Sequence, residues 1–394
     1  METTAKAHGL DGTLVEPDWH PLTLAEVRAL LREFPGCGQP IEILYASPRP
    51  FSAASVVSTQ RGRIFIKRHH RLVRDREGLL EEHRFIAYLR ENGAPVPRVL
   101  QASSGETAIE IDEWTYEVHE APDGVDIYQN AQSWTPFRSV QHAYSAGCAL
   151  ARLHCASQEY AAPARNPRPL VASFTIFADH NPETAMERYV AARPALAGDE
   201  MTRKACREAL DLLAPFHAEL EPLLPALQAL WTHNDLHASN LLWSNASAQA
   251  RAVAIIDFGL SDRTYAVHDL AHAIERNIVE WLALVENPSR PESVPVHVED
   301  LHALLAGYES VRALSTKEAA ALAPMTALCH AEFALTEADY FLGVLHSKEQ
   351  ARMAAPNYLV GHARWFRSPS GQLLLDCVRT WADARPNRRE SRKR

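Results

Sequence analysis

Two short stretches hold the side chains of this chain that could do chemistry together. One is Thr232-His233-Asn234-Asp235-Leu236-His237-Ala238-Ser239-Asn240; the other is Ile255-Ile256-Asp257-Phe258-Gly259. Asp235 can accept or orient a proton from an incoming hydroxyl. Asn240 and Asp257 offer hard oxygen ligands of the kind Mg²⁺ takes alongside phosphate oxygens and water. An acid–base carboxylate beside a metal-holding amide and carboxylate is what phosphoryl transfer needs, because there catalysis is mainly positioning and charge neutralisation. His237 stands where a cation or hydrogen-bond donor could meet the transferred phosphate.

The elements around these residues must bring them together. Leu241–Trp243 and Val253–Ile256 are short apolar runs joined by the small, polar segment Ser244–Ala252, the pattern of a β-hairpin. In an antiparallel ladder facing residues lie about 5 Å apart, so Asn240 and Asp257 fall side by side at one end of it.

The phosphate end of a nucleotide needs a cation. Lys67 closes the apolar strand Ile64-Phe65-Ile66, and the helix expected over Asp75–Asn92 carries Glu82, an acid that could hold the ammonium across the sheet–helix gap. Glu82 is preferred to Glu81 because it lies two turns before Leu89, on the inward side. Upstream, Leu22–Arg32 has helical spacing. Ile41–Tyr45, Ser55–Thr59 and Arg63–Lys67 alternate as strands, with a turn at Gln60-Arg61-Gly62. Gly93 suits a helix C-cap, Val96–Leu100 begins extended, and Thr107–Ile111 and Trp114–His119 are further strands. From Ala121 onward the pattern is mainly helical. The fold class expected is therefore α+β and bilobal. Residues 1–119 form a nucleotide-binding lobe with a small antiparallel sheet and one long helix. Residues 120–384 form a helical catalytic and substrate lobe, and 385–394 a basic tail.

These motifs resemble the aminoglycoside phosphotransferase and choline-kinase-like group, which includes homoserine kinases. Cys148–His154 is similar to the group's Leu-Ala-x-Leu-His helix, and Asp269-Leu270-Ala271 to its Asp-Leu-Ala motif. The resemblance implies a protein-kinase-like fold and an ATP-dependent phosphotransferase, with GTP as the other nucleotide to test. It makes Asp235 the catalytic aspartate, Asn240 and Asp257 the Mg²⁺ ligands, Lys67 the α/β-phosphate contact and Glu82 its partner. His233 supports the loop. Adenine would sit on backbone groups near Glu117 and Val118. The chain departs from the pattern in lacking a glycine-rich phosphate loop: Ala46–Ala54 reads ASPRPFSAA, so Ser47, Ser52 and their backbone N–H groups would cradle phosphate instead. A short Leu260–Tyr265 segment and no Ala-Pro-Glu motif argue against a protein kinase.

The acceptor is expected to be a small-molecule hydroxyl held by the insert Cys155–Leu230 and the C-terminal helices. Asp262, Tyr265, Glu275, Glu332, Asp339 and Tyr340 are candidate lining residues. Acids on the apolar helix Ala327–Leu345 would recognise a substrate ammonium or else pair with arginines. The leaning is to an amine-bearing alcohol, whether amino alcohol, amino acid or aminoglycoside-type compound. The motifs specify neither the acceptor nor an oligomeric state. The alternative from another class is a catalytically silent nucleotide-binding scaffold, which the presence of Lys67, Asp235, Asn240 and Asp257 disfavours.

Composition fits a globular protein: 394 residues, 46% hydrophobic and 23% charged. A net charge of −9 argues against a nucleic-acid partner. No apolar run reaches membrane-spanning length, and Met1–Trp19 has no secretory-leader pattern. Six scattered cysteines without CxxC spacing are expected to be reduced. A cytoplasmic protein is the expectation.

Overall fold

A computed structural model describes residues 7–8, 14–15, 18–47, 49–286 and 293–385. Of the basic tail, only Arg385 lies within them. Its guanidinium pairs with Glu309 and with the Leu314 carbonyl rather than standing in solvent.

The fold is the mixed α+β type expected. A five-stranded antiparallel sheet is built from β1 (Pro40–Ala46), β2 (Ala53–Thr59), β3 (Gly62–His70), β4 (Ala108–Ile111) and β5 (Trp114–Glu120) in the order β1-β2-β3-β5-β4. Thr59 pairs with Gly62 across a two-residue turn, and Gly62 has φ 126°, a conformation that favours glycine. Side chains alternate along each strand. Ile64, Ile66, Tyr116 and Val118 therefore face one way and pack with Val27 and Leu30 of α1 (Leu24–Leu30). Lys67, His69, Glu117 and His119 face the other way, toward α2 (Arg76–Glu91).

Both helices start where their caps dictate. Thr23 and Glu26 form a reciprocal capping box, and Asp75 accepts from Gly78 N–H at 2.8 Å. Gly93 follows α2 at φ 79°, as the C-cap reading required. The extended run Val96–Leu100 makes one bridge, Val99 to His119, rather than a strand. Pro95 and Pro97 have no N–H to give a ladder.

The remainder is mostly helical. α3 (Val140–Ser157) packs against α6 (Val298–Val311), with α4 (Glu200–Leu220) and α5 (Ala266–Ile278) between them in sequence. α7 (Thr316–Leu328) precedes α8 (His330–Gly343), which is the helix expected over Ala327–Leu345 and starts three residues later than expected. α3 and α6 meet closely because each places a glycine at the crossing. A Cβ on Gly147 would overlap the Leu304 carbonyl, and one on Gly307 the Tyr144 carbonyl. Between the helices lie two small ladders, β6 (Ala229–Thr232) with β9 (Asp262–Tyr265), and β7 (Leu241–Trp243) with β8 (Ala252–Ile255). The second is the expected hairpin. One continuous apolar core joins Phe85, Ile86 and Leu89 of α2 to the helical part. Among the described residues no helix is long and apolar enough to cross a membrane, and all six cysteines are free.

Candidate active site

The loop His233–Asn240 leaves β6 and enters β7, and its shape is set by buried side chains beneath it. Asn234 takes φ 61°, a left-handed conformation that asparagine tolerates better than most residues. Its side chain is fully engaged: Nδ2 donates to the Ala172 carbonyl at 2.9 Å, and Oδ1 accepts from Thr232 at 2.8 Å and Thr264 at 3.1 Å. Asp269 accepts the backbone N–H groups of His233 and Asn234 at 2.7 and 2.9 Å, and is itself held by His154 Nε2 at 3.0 Å. The His154 and Asp269 motifs are thus a prop for this loop. His233 is also a support, as expected. Its Nδ1 accepts from Asp235 N–H at 3.2 Å, which leaves Nε2–H to donate to the Ile256 carbonyl at 3.0 Å.

The hairpin delivers the expected juxtaposition. Leu241 faces Ile255, and Ile256 N–H donates to the Asn240 carbonyl at 3.0 Å, so Asp257 begins beside Asn240. Asp257 has φ 66°, the second left-handed residue of the site. Asn240 Nδ2 donates to both the carbonyl and Oδ2 of Asp235, at 2.9 and 3.0 Å. That commits the amide's donor side to Asp235 and turns its oxygen away, as a metal ligand requires. Asp257 is engaged by Lys67 Nζ at 2.8 Å through Oδ1. These donors fit a hard divalent cation.

Asp235, Asn240, Asp257 and Lys67 line one cavity of about 150 Å³, together with His237, Ser52, Arg49, Arg276, Trp134, Phe333 and Glu337. Burial pushes the Asp235 carboxyl up to about 7, against the opposing pull of Arg276. Asp257 goes the other way. Burial would raise it, but the charge and hydrogen bond of Lys67 bring it down to about 2. Two carboxylates in one cavity are thus driven apart, one poised near neutrality and one firmly ionised, the pattern of an acid–base group beside a charge-binding group.

Several expectations change. Glu82 is buried but does not bond Lys67. Its carboxylate pairs with Arg74 Nε at 2.6 Å and Arg165 Nη2 at 3.1 Å. Glu117 points at His69, His83 and His119. The Val118 carbonyl accepts from Leu100 N–H at 2.8 Å, so the sheet and its edge segment take the backbone assigned to adenine. His237 bonds Ser239 at 3.0 Å, and burial with Arg49 and Arg276 nearby keeps it uncharged, so only the donor half of its expected role stands.

None of the six acceptor candidates lines this cavity. Asp262 accepts from Ser173 Oγ and from the backbone N–H groups of Arg165 and Arg263. Tyr265 stands edge-on to Phe174. Glu332 accepts the N–H groups of Thr175 and Ile176, and Asp339 lies 3.8 Å from Arg193. Glu275 bonds His362, and Tyr340 donates to Asp18. Of the insert Cys155–Leu230, Leu170 reaches the cavity.

The cavity wall also includes residues that sequence reasoning passed over. Arg276 Nη1 donates to Asp235 Oδ1, and its guanidinium lies 3.9 Å over the Phe333 ring. Its Nη2, and Oε2 of Glu337, are buried without a partner. A signal was available. Arg276 falls seven residues after Asp269, two helical turns on, and therefore on the same face of α5. Arg49 sat in the quoted loop sequence; it donates to Ser133 and lies near enough to feel the charges of Asp235 and Asp257.

Residues 51–314 match the family model described as the phosphotransferase enzyme family. The chain belongs to that family. None of the curated protein sequences compared matches it. Solved structures show the same fold at low identity. A microcompartment-associated aminopropanol kinase is 19% identical, with TM-score 0.55 over 89% of this chain and 99% of its own. An amicoumacin kinase in complex with AMP-PNP, Ca²⁺ and Ami is 14% identical, with TM-score 0.53 over 89% and 99%. The aminoglycoside phosphotransferase APH(4)-Ia is 14% identical, with TM-score 0.52 over 87% and 99%. This phosphotransferase therefore shares its fold with kinases of chemically diverse small molecules.

Proposed function

We propose that this phosphotransferase moves the γ-phosphoryl group of ATP onto a hydroxyl of a small, amine-bearing molecule. The observation that carries the reading is the shared cavity, where the Lys67–Asp257 pair, Asp235 with Arg276, and Glu337 meet. Lys67 and Arg49 supply positive charge for the phosphates, and Ser52 a hydroxyl, where a glycine-rich loop would otherwise serve. Asn240 and Asp257 would hold Mg²⁺, whose chemistry is to neutralise phosphate charge. Asp235 accepts or orients the acceptor's proton and is suited to this by a carboxyl pushed up to about 7.

Glu337 is the acid that faces the acceptor. Burial raises its carboxyl well above the ordinary range, and a bound ammonium would restore its charge. Trp134 and Phe333 wall the same space. The aminopropanol and amicoumacin kinases are similar in fold, and the substrate class proposed here is one in which such an ammonium occurs. A silent scaffold would not need the full set Lys67, Asp235, Asn240 and Asp257.

The test is ADP release from Mg-ATP across a panel of amino alcohols, hydroxy amino acids, aminoglycosides and neutral sugars, with Asp235→Ala as control. Stimulation by an amine-bearing alcohol, abolished in the control, is expected. Nucleotide binding without stimulation by any acceptor would favour the scaffold reading.

A further inference from the structure

The proposed transfer leaves unused a cluster of imidazoles on the inner face of the sheet. Glu117 on β5 is buried and receives three histidines. His83 of α2 and His119 of β5 bring Nε2 to the same oxygen, Oε2, at 2.9 and 2.7 Å, and His69 of β3 brings Nε2 to Oε1 at 3.0 Å. All four side chains are buried. One ring nitrogen each of His83 and His119 and an oxygen of Glu117 lie within 4.8 Å of one another.

We propose that His83, His119 and Glu117 bind a divalent transition-metal ion of the zinc class, separate from any ion that accompanies the nucleotide. The ligand chemistry selects the ion. Two imidazole nitrogens and one carboxylate oxygen suit Zn²⁺ and its neighbours, whereas Mg²⁺ and Ca²⁺ prefer all-oxygen sites. Bonds of about 2.0–2.1 Å at tetrahedral angles place ligand atoms about 3.3 Å apart, so spacings of 2.7 and 2.9 Å need to open by only a few tenths of an ångström. One outer partner is in place as well. His83 Nδ1 lies 2.8 Å from Thr107 Oγ1, the position of a hydroxyl that orients a ligating imidazole. His69 holds Oε1 and so directs Oε2 to the ion.

Without an ion, one carboxylate must satisfy three Nε2–H donors. Lys67 on the same face is hydrogen-bonded to Asp257 rather than to Glu117.

The site has a mechanical role. Lys67 and Glu82 do not join sheet to helix here, because Glu82 is drawn to Arg74 and Arg165. An ion shared by His83 on α2 and Glu117 with His119 on β5 makes that join instead, one strand away from Lys67.

The experiment uses the full chain, purified without chelator and dialysed against buffered Zn²⁺, with metal content read by elemental analysis. About one ion per chain is expected. Co²⁺ loading should give visible d–d absorption, and Zn²⁺ should raise the melting temperature. His83→Gln with His119→Gln should lower Zn²⁺ affinity at least a hundredfold, and Thr107→Val about tenfold or more. Circular dichroism establishes that each variant is folded. His69→Gln should still bind one ion and keep the cobalt spectrum. Folded wild-type protein that takes up no stoichiometric Zn²⁺, Co²⁺ or Ni²⁺ would overturn the proposal, as would a folded double variant that binds as tightly as wild type.

Discussion

Arg276 donates through Nη1 to Oδ1 of Asp235, from a position buried against the ring of Phe333. Asn240 takes the other oxygen of the same carboxylate at 3.0 Å. The proposed base is therefore held through both oxygens, and its orientation depends on two neighbours as well as on its own loop. Asp235→Asn keeps the shape but removes the proton acceptor. Its kcat should fall by about 10²–10⁴-fold, with nucleotide affinity little changed. Arg276→Gln should lower kcat by a smaller factor and leave ATP affinity near wild type. Steady-state kinetics with the best acceptor, alongside nucleotide titration, separates the two; full activity in Asp235→Asn would remove it from the chemistry.

Asp257→Asn should abolish turnover and leave the chain folded. Its carboxylate is held ionised by Lys67, and the amide cannot carry that charge. Rate measured against Mg²⁺ concentration is the check, since a variant with wild-type metal dependence would contradict the assignment.

Glu82 sits between two arginines rather than on the nucleotide lysine. Glu82→Gln should therefore act mainly on stability, costing about 3–5 kcal/mol because two buried guanidinium groups lose their carboxylate. Lys67→Ala should do the opposite, costing more in turnover than in melting temperature. Paired melting curves and kinetics test this contrast; equal and large losses of activity in both, with melting unchanged, would restore the Lys67–Glu82 link.

Burial raises the Glu332 carboxyl from 4.5 to about 7, against the backbone N–H groups of Ile176 and Thr175. A carboxyl that is harder to ionise in the folded chain favours folding at low pH. Its contribution is complete below about 4.5 and disappears as pH rises to about 7, on the order of 3 kcal/mol at most. Glu332→Gln keeps an acceptor for those N–H groups and cannot ionise. It should flatten stability against pH across that window, as read by denaturant unfolding at pH 4.5, 6 and 8. A wild-type profile that is already flat there would refute the assignment.

Much of this was legible in the chain because it was local. The hairpin that joins Asn240 to Asp257 follows from two apolar runs and a polar link, and α2 from Asp75, its inward leucines and Gly93. The departures concern partners distant in sequence. Glu82 and Lys67 both face the gap between sheet and helix, but Arg74 just before α2 and Arg165, which no short-range pattern connects to it, outcompete the lysine. Acids on the apolar helix were expected to meet substrate. Glu332 instead satisfies two backbone donors from a segment more than 150 residues earlier, a debt that only the folded chain reveals. Glu337, one turn further along α8, is the acid that reaches the cavity.

Gly147 and Gly307 let two helices touch backbone to backbone, and that contact reaches further than its own neighbourhood. α3 carries His154, which steadies Asp269 and through it the peptide groups on either side of His233. A methyl group added at Gly307 would thus wedge the helices apart and tilt the pedestal under Asp235, so a substitution remote from any ligand could misalign the reacting oxygen as surely as one inside the cleft.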